Sequence, residues 1–368
     1  MRFHVLGIPH TISTPEYSSC AFTQKVVKLC KMLKAEGHEV FHYGHSGSKI
    51  ECDENVVVTT LNDLRISYPG HNWRKQGFPK FAKTDRCYEQ FYKRAITEIG
   101  VRKQPGDFLL CAFGDWHKPV ADAHPDMIVV ESGIGYPNGT FAPYKVYESY
   151  AIMHAYQGNA AAISASNSFW YDAVIPNSFD LADFEFSALA EKQESYLLFL
   201  GRLNSGKGIH IAKQLAEKTN IPLIVAGAGA HEMPTDLISY VGNVGPAKRK
   251  TLLRDARAVI CASTFLEPFC GVQIEAMLSG TPVISSDRGA FAEYNLQEET
   301  GFRCRTFEQF EWAVRNIHKI DRNVCRGWAE QFSLEEIGPK YTDYFQSVRD
   351  ISSGAGWYEP RPNRTKIF

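Results

Sequence analysis

Short apolar runs alternate with stretches of helical periodicity along most of the chain. Residues 2–7 read as a strand, and a loop rich in Ser, Thr and Pro follows at 9–19. Val26, Val27, Leu29, Cys30 and Leu33 recur at helical spacing until Gly37 stops the helix, and residues 38–41 open a second strand. Further strands are expected at 56–60, 107–113 and 127–131. Apolar runs this short, set between helices, belong to a parallel sheet covered on both faces. The pattern restarts at 196–200, a strand ending in Gly201 and followed by a helix over 208–218. Runs at 222–226, 239–242, 258–262 and 282–285 predict a second parallel sheet.

A chain of 368 residues exceeds what one core usually serves. Between the two patterns, Ile175-Pro176-Asn177-Ser178-Phe179 joins a strand end to turn residues, within a linker at 166–183. The expected division is a first domain over 1–178 and a second over 179–344. A helix is expected at 334–348, with a tail from about residue 345 to 368 returning to the first domain. The formal net charge of -1 offers no global field for nucleic acid or an anionic membrane. The nine cysteines form no C-x-x-C, the first residues lack a signal-peptide pattern, and no run approaches the ~20 apolar residues of a membrane span, so a cytoplasmic protein is expected.

Two motifs carry chemistry. Gly201-Arg202-Leu203-Asn204-Ser205-Gly206-Lys207-Gly208 is a glycine-rich turn between a strand and a helix. Such a helix start points N–H groups at an anion, Arg202 can fork onto two oxygens, and Lys207 adds a point charge, which together suit a diphosphate. The spacing is not that of a P-loop, which disfavours ATP hydrolysis. The second motif places Glu267 and Glu275 on either side of a helix expected to begin near Gly271. Glu267 can then accept from a sugar hydroxyl, Glu275 from ribose hydroxyls, and the N–H groups of Phe269, Cys270 and Gly271 can meet phosphate.

The block from Glu267 to Val283, continued by Ser286-Asp287-Arg288-Gly289, resembles the E-x7-E signature of retaining GT-B glycosyltransferases, most closely glycosyltransferase family 4. Gly201-Arg202 with Lys207-Gly208 is similar to that family's donor diphosphate motif, and residues 241–245 to its base-contacting segment. The resemblance covers the second half almost continuously. It implies an α/β fold of GT-B type, two Rossmann-like domains facing across a deep cleft. It also implies a retaining hexosyltransferase using a nucleotide diphosphate sugar, GDP-mannose or a UDP-hexose, with a glycan, protein-linked glycan or lipid acceptor. Glu267, Arg202 and Lys207 would carry the reaction. Gly201, Val244, Phe269, Cys270, Gly271, Val272 and Glu275 would join them in holding the donor.

Two departures concern the first half. His10 to Thr14 stand where the family often has paired glycines, and Glu131-Ser132-Gly133 where many relatives carry a histidine. Ser13, His117 and Glu131 are the acceptor-side candidates. No D-x-D occurs, so neither a metal nor any other cofactor is expected. The stretch 71–103 mixes nine basic residues with six aromatic ones, which fits a solvated helix face, an acceptor site or peripheral membrane contact before nucleic acid. The oligomeric state stays open, a dimer included. The rival readings are a nucleotide-sugar epimerase of the same architecture and a non-catalytic nucleotide-sugar-binding protein. An NAD oxidoreductase ranks last, because the first turn lacks G-x-G-x-x-G.

Overall fold

The computed structural model describes residues 1–136, 139–161, 171–188, 196–229 and 235–353. Among them, β1 (Arg2–Leu6), β2 (Glu39–His45), β3 (Glu54–Thr59), β4 (Phe108–Cys111), β5 (Ile128–Ile134), β6 (Tyr144–Tyr147) and β7 (Ala173–Val174) form one sheet. Its strand order is β3-β2-β1-β4-β5-β6-β7, parallel throughout. A second parallel sheet is built from β8 (Leu197–Leu200), β9 (Leu223–Ala226), β10 (Ile238–Tyr240), β11 (Ala258–Cys261), β12 (Val283–Ser286) and β13 (Gly301–Cys304), ordered β10-β9-β8-β11-β12-β13. Each sheet therefore reverses direction beside its first strand, at β1/β4 and at β8/β11. Loops leaving the carboxyl ends of such a strand pair frame a crevice, which is where doubly wound sheets bind ligands.

The central strands are apolar on both faces: every residue of β4, β8 and β11 is buried. That is why each was legible as an apolar run. Two strands were not anticipated, β6 and β13, and of β7 only its end at Ile175 was read. Lys145 lies in β6 and Arg303 in β13, and β7 has only two residues, so none offers an uninterrupted apolar run.

The helix Leu334–Ser352 follows the second sheet in sequence yet packs on the first. Leu334, Ile337, Tyr341, Phe345 and Val348 share a core with Phe3, Val26, Leu33 and Phe108. The return therefore begins at Leu334, ahead of the expected 345, and residues 354–368 of the expected tail lie outside the described residues. The chain crosses between the domains twice at one place: Phe179 donates to the Phe332 carbonyl at 2.8 Å, and Leu334 donates to the Phe179 carbonyl at 3.0 Å. Farther along the seam, the Glu293 carboxylate of the second domain accepts from the N–H groups of Tyr150 (2.9 Å) and Ala151 (2.7 Å). These N–H groups open the helix Tyr150–Ala161 of the first domain, where a negative charge meets the positive end of the dipole. Tyr294 Oη adds a bond to the Glu148 carbonyl at 2.8 Å.

Of the six aromatic residues in 71–103, two are buried and four half-buried. Tyr88 and Phe91 are fully buried, Phe81 stacks on His10 with centroids 4.0 Å apart, and Trp73 stacks on Tyr17 at 4.5 Å. Arg74, Lys75, Lys80 and Lys93 are exposed, as are Glu89 and Val101. No helix among the described residues is long and apolar enough to cross a membrane.

Candidate active site

The two chemical motifs meet because they leave adjacent strands. The glycine-rich turn follows β8 and the two-carboxylate block follows β11, the pair that flanks the reversal of the second sheet. Asn204 caps a short 3-10 turn, Ser205–Lys207, by accepting from the Lys207 N–H at 2.9 Å. Gly208 then takes a left-handed conformation (φ 75), and the helix Ile209–Thr219 begins. A Cβ on Gly208 would stand 2.0 Å from the Ala262 carbonyl oxygen, so glycine here lets the turn lie directly on the end of β11.

That contact brings Lys207 to Glu267. The ammonium donates to Glu267 Oε1 at 2.6 Å, and Ser263 Oγ donates to the same oxygen. Glu267 is only 3% exposed. Burial alone would lower the Lys207 pKa; Cys270 and the Glu267 carboxylate outweigh it and raise it above its ordinary value. Glu267 Oε2 accepts from no described group. Beyond it, Phe269 packs against Tyr294 and Phe332, and Cys270 turns left-handed (φ 61) to start the helix Gly271–Leu278. The N–H groups of Phe269, Cys270, Gly271 and Val272 find no acceptor among the described residues.

Glu275 lies one turn inside this helix, as the spacing predicts. Arg249, from the helix Pro246–Asp255, holds Glu275 Oε2 through Nε (2.7 Å) and Nη2, and leaves Oε1 without a described donor. Each motif carboxylate therefore has one oxygen tied to a cation and the other unclaimed, on either side of a helix mouth with open N–H groups. Val244 is buried beside the same corner, and its carbonyl takes Ser18 Oγ of the first domain at 3.3 Å. Arg202 is exposed, makes no ion pair among the described residues, and stands 5.8 Å from the centre of the Phe78 ring across the cleft. Gly201 closes β8, and its N–H donates to the Ala226 carbonyl at 3.0 Å.

On the facing domain the structure puts the three acceptor-side candidates beneath the surface. Ser13 is 2% exposed, and its Oγ is 3.0 Å from His42 Nε2. His117 is fully buried with Nε2 3.0 Å from the Gly7 carbonyl oxygen, and burial pushes its pKa down to about 3. Glu131 is also fully buried, taking Tyr136 Oη (2.6 Å) and the N–H groups of Phe141 (2.8 Å) and Ala142 (3.0 Å). Its pKa rises with burial, although those bonds pull it back. All three are engaged in holding loop shape.

The groups that do face the second domain come from the helix Ala21–Ala35 and from residues after β6. Lys25 meets Glu148 and donates to the Gly133 carbonyl at 3.0 Å; Lys28 lies on the Phe179 ring. Neither Arg249 nor these lysines was anticipated from the sequence. Lysines at 25, 28 and 31 form a three-residue repeat that marks one side of a helix, a signal present but overshadowed by the apolar periodicity.

Two parallel-sheet domains with this corner between them define the GT-B architecture. AviGT4, a glycosyltransferase involved in avilamycin A biosynthesis, matches with a TM-score of 0.71 at 20% identity, over 96% of this chain and 98% of its own. Anabaena HepE, solved with UDP and glucose, matches with a TM-score of 0.64 at 17% identity, over 94% and 100%. Residues 182–331 match the model of the family described as glycosyl transferases group 1. An uncharacterized glycosyltransferase of Methanocaldococcus jannaschii is 30% identical over 211 residues, 49% of this chain and 54% of its own. The chain spans about half the length of the curated relatives it matches.

Proposed function

We propose that the protein is a retaining glycosyltransferase that moves a hexose from a nucleotide diphosphate sugar, GDP-mannose or a UDP-hexose, to a glycan, protein-linked glycan or lipid acceptor. The observation that carries this reading is the pair of half-engaged carboxylates around the mouth of the helix Gly271–Leu278. A diphosphate at that mouth meets open N–H groups, Lys207 and Arg202. The free oxygen of Glu267 then accepts from a hexose hydroxyl and that of Glu275 from ribose. The sugar–phosphate bond breaks with negative charge growing on the leaving diphosphate, and these fixed positive groups stabilise the charge as it develops. They supply the role a metal clamp would otherwise fill, so turnover proceeds without one. Glu267 orients the sugar and does not attack it; the acceptor approaches from the leaving-group face.

The test is calorimetric titration with a panel of nucleotide sugars, followed by product analysis with the one that binds. Lys207→Ala and Glu275→Ala are each expected to weaken donor binding by about tenfold or more, as loss of a charge-assisted contact implies. Unchanged affinity in both variants removes this site from consideration. Turnover that yields only an isomer of the donor favours the epimerase reading. Binding with no nucleotide release under any acceptor favours a non-catalytic one.

A further inference from the structure

Helix Ala21–Ala35 lays three lysines along the seam between the domains. Lys25 is paired with Glu148, and Lys31 with Asp180 and Glu51. Lys28, between them, has no hydrogen bond or ion pair among the described residues. Its ammonium instead lies 3.8 Å from the centre of the Phe179 ring. The same ring borders the donor corner: a Cβ built on Gly271 would lie 3.6 Å from Phe179 Cζ and 3.8 Å from Glu275 Oε1. Glu275, whose charge acts on Lys28, is already bonded to Arg249.

An ammonium drawn out of water toward an aromatic face keeps three donors that a ring can only partly satisfy. Such a group is complete when an anion arrives. The loop after β1, at the carboxyl end of the first sheet, turns His10, Thr11 and Ser13 inward. His10 bonds Tyr88 Oη, Thr11 bonds Thr23, and Ser13 bonds His42.

We propose that Lys28 is a donor-binding residue contributed by the first domain, its ammonium donating to a phosphate oxygen of the nucleoside diphosphate seated at the mouth of the helix Gly271–Leu278. The inference rests on the donor site assigned above. It adds a contact from the opposite domain, so that the diphosphate is gripped from both sides of the cleft. Because Lys28 rests on Phe179, where the chain crosses between domains, this grip lies at the crossing itself.

The experiment is calorimetric titration of UDP, GDP, uridine and guanosine into the full chain and into Lys28→Met, Lys28→Gln, Lys28→Arg and Lys207→Ala. Both neutral variants keep the stem on Phe179. They are expected to lose about tenfold or more in affinity for the diphosphate that binds, with nucleoside binding unchanged and Lys28→Arg recovering most of the loss. If the neutral variants bind diphosphate as tightly as the parent while Lys207→Ala does not, the inference fails and the donor site stands. An equal loss for nucleoside and diphosphate also overturns it, since Lys28 would then only hold the domains in place. If Lys207→Ala binds normally as well, the donor-site assignment has failed along with it.

Discussion

In the first sheet, His4, His42 and the loop residues His10 and His117 are buried among partners, whereas the described residues of the second domain bury no histidine. His4 lies between Tyr43 Oη at 2.8 Å and Asp107 at 3.1 Å; His42 lies between Ser13 and Asn55. The second domain instead pairs Lys207 with Glu267 and Arg249 with Glu275 in a way that leaves one oxygen of each carboxylate without a described donor. The strand order is shared, and the polar residues are put to different uses. One domain pairs them beneath its surface, and the other leaves one oxygen of each motif carboxylate without a described partner.

The largest expected test of this contrast is Gly208→Ala. The substituent would meet the Ala262 carbonyl at 2.0 Å in a left-handed backbone, so the turn must move away from β11. A stability loss of about 3 kcal/mol or more is expected from chemical denaturation. Retained stability would mean that the turn is not held against β11. The next is an acid titration. Burial pushes His10 and His117 down to about 3 and His42 to about 4, so they fold neutral and unfold into a state that takes up protons below about 6.5. Their stabilisation is complete above the unfolded value and fades as pH falls toward the folded ones, on the order of 1 kcal/mol per histidine at one unit below 6.5. Hydrogen-exchange mass spectrometry after incubation near pH 5 should find the first sheet opened before the second; simultaneous opening would erase the distinction. Smallest is Glu293→Ala, which removes the carboxylate that reaches from one domain to the helix start of the other. A loss of about 1 kcal/mol is expected, read as a melting temperature lower by about 2 °C.

Legibility in the sequence followed the same division. Strands buried on both faces announced themselves, and so did the two motifs, because Gly208, Glu267 and Glu275 are fixed by local turns and one helix. What the sequence could not show was pairing. Arg249 reaches Glu275 from a separate helix, and Lys28 approaches from the other domain. Ser13, His117 and Glu131 illustrate the converse. A polar residue just past a strand end can line a crevice or bond beneath a loop, and only the fold of 131–142 and of the loop after β1 separates the two.

The helix Leu334–Ser352 also sets an order of assembly. During synthesis the whole second domain emerges before the residues that cover Phe3, Val26 and Phe108 exist. The first half must wait with an uncovered apolar groove while the later half matures, reversing the usual course in which the amino-terminal unit finishes first.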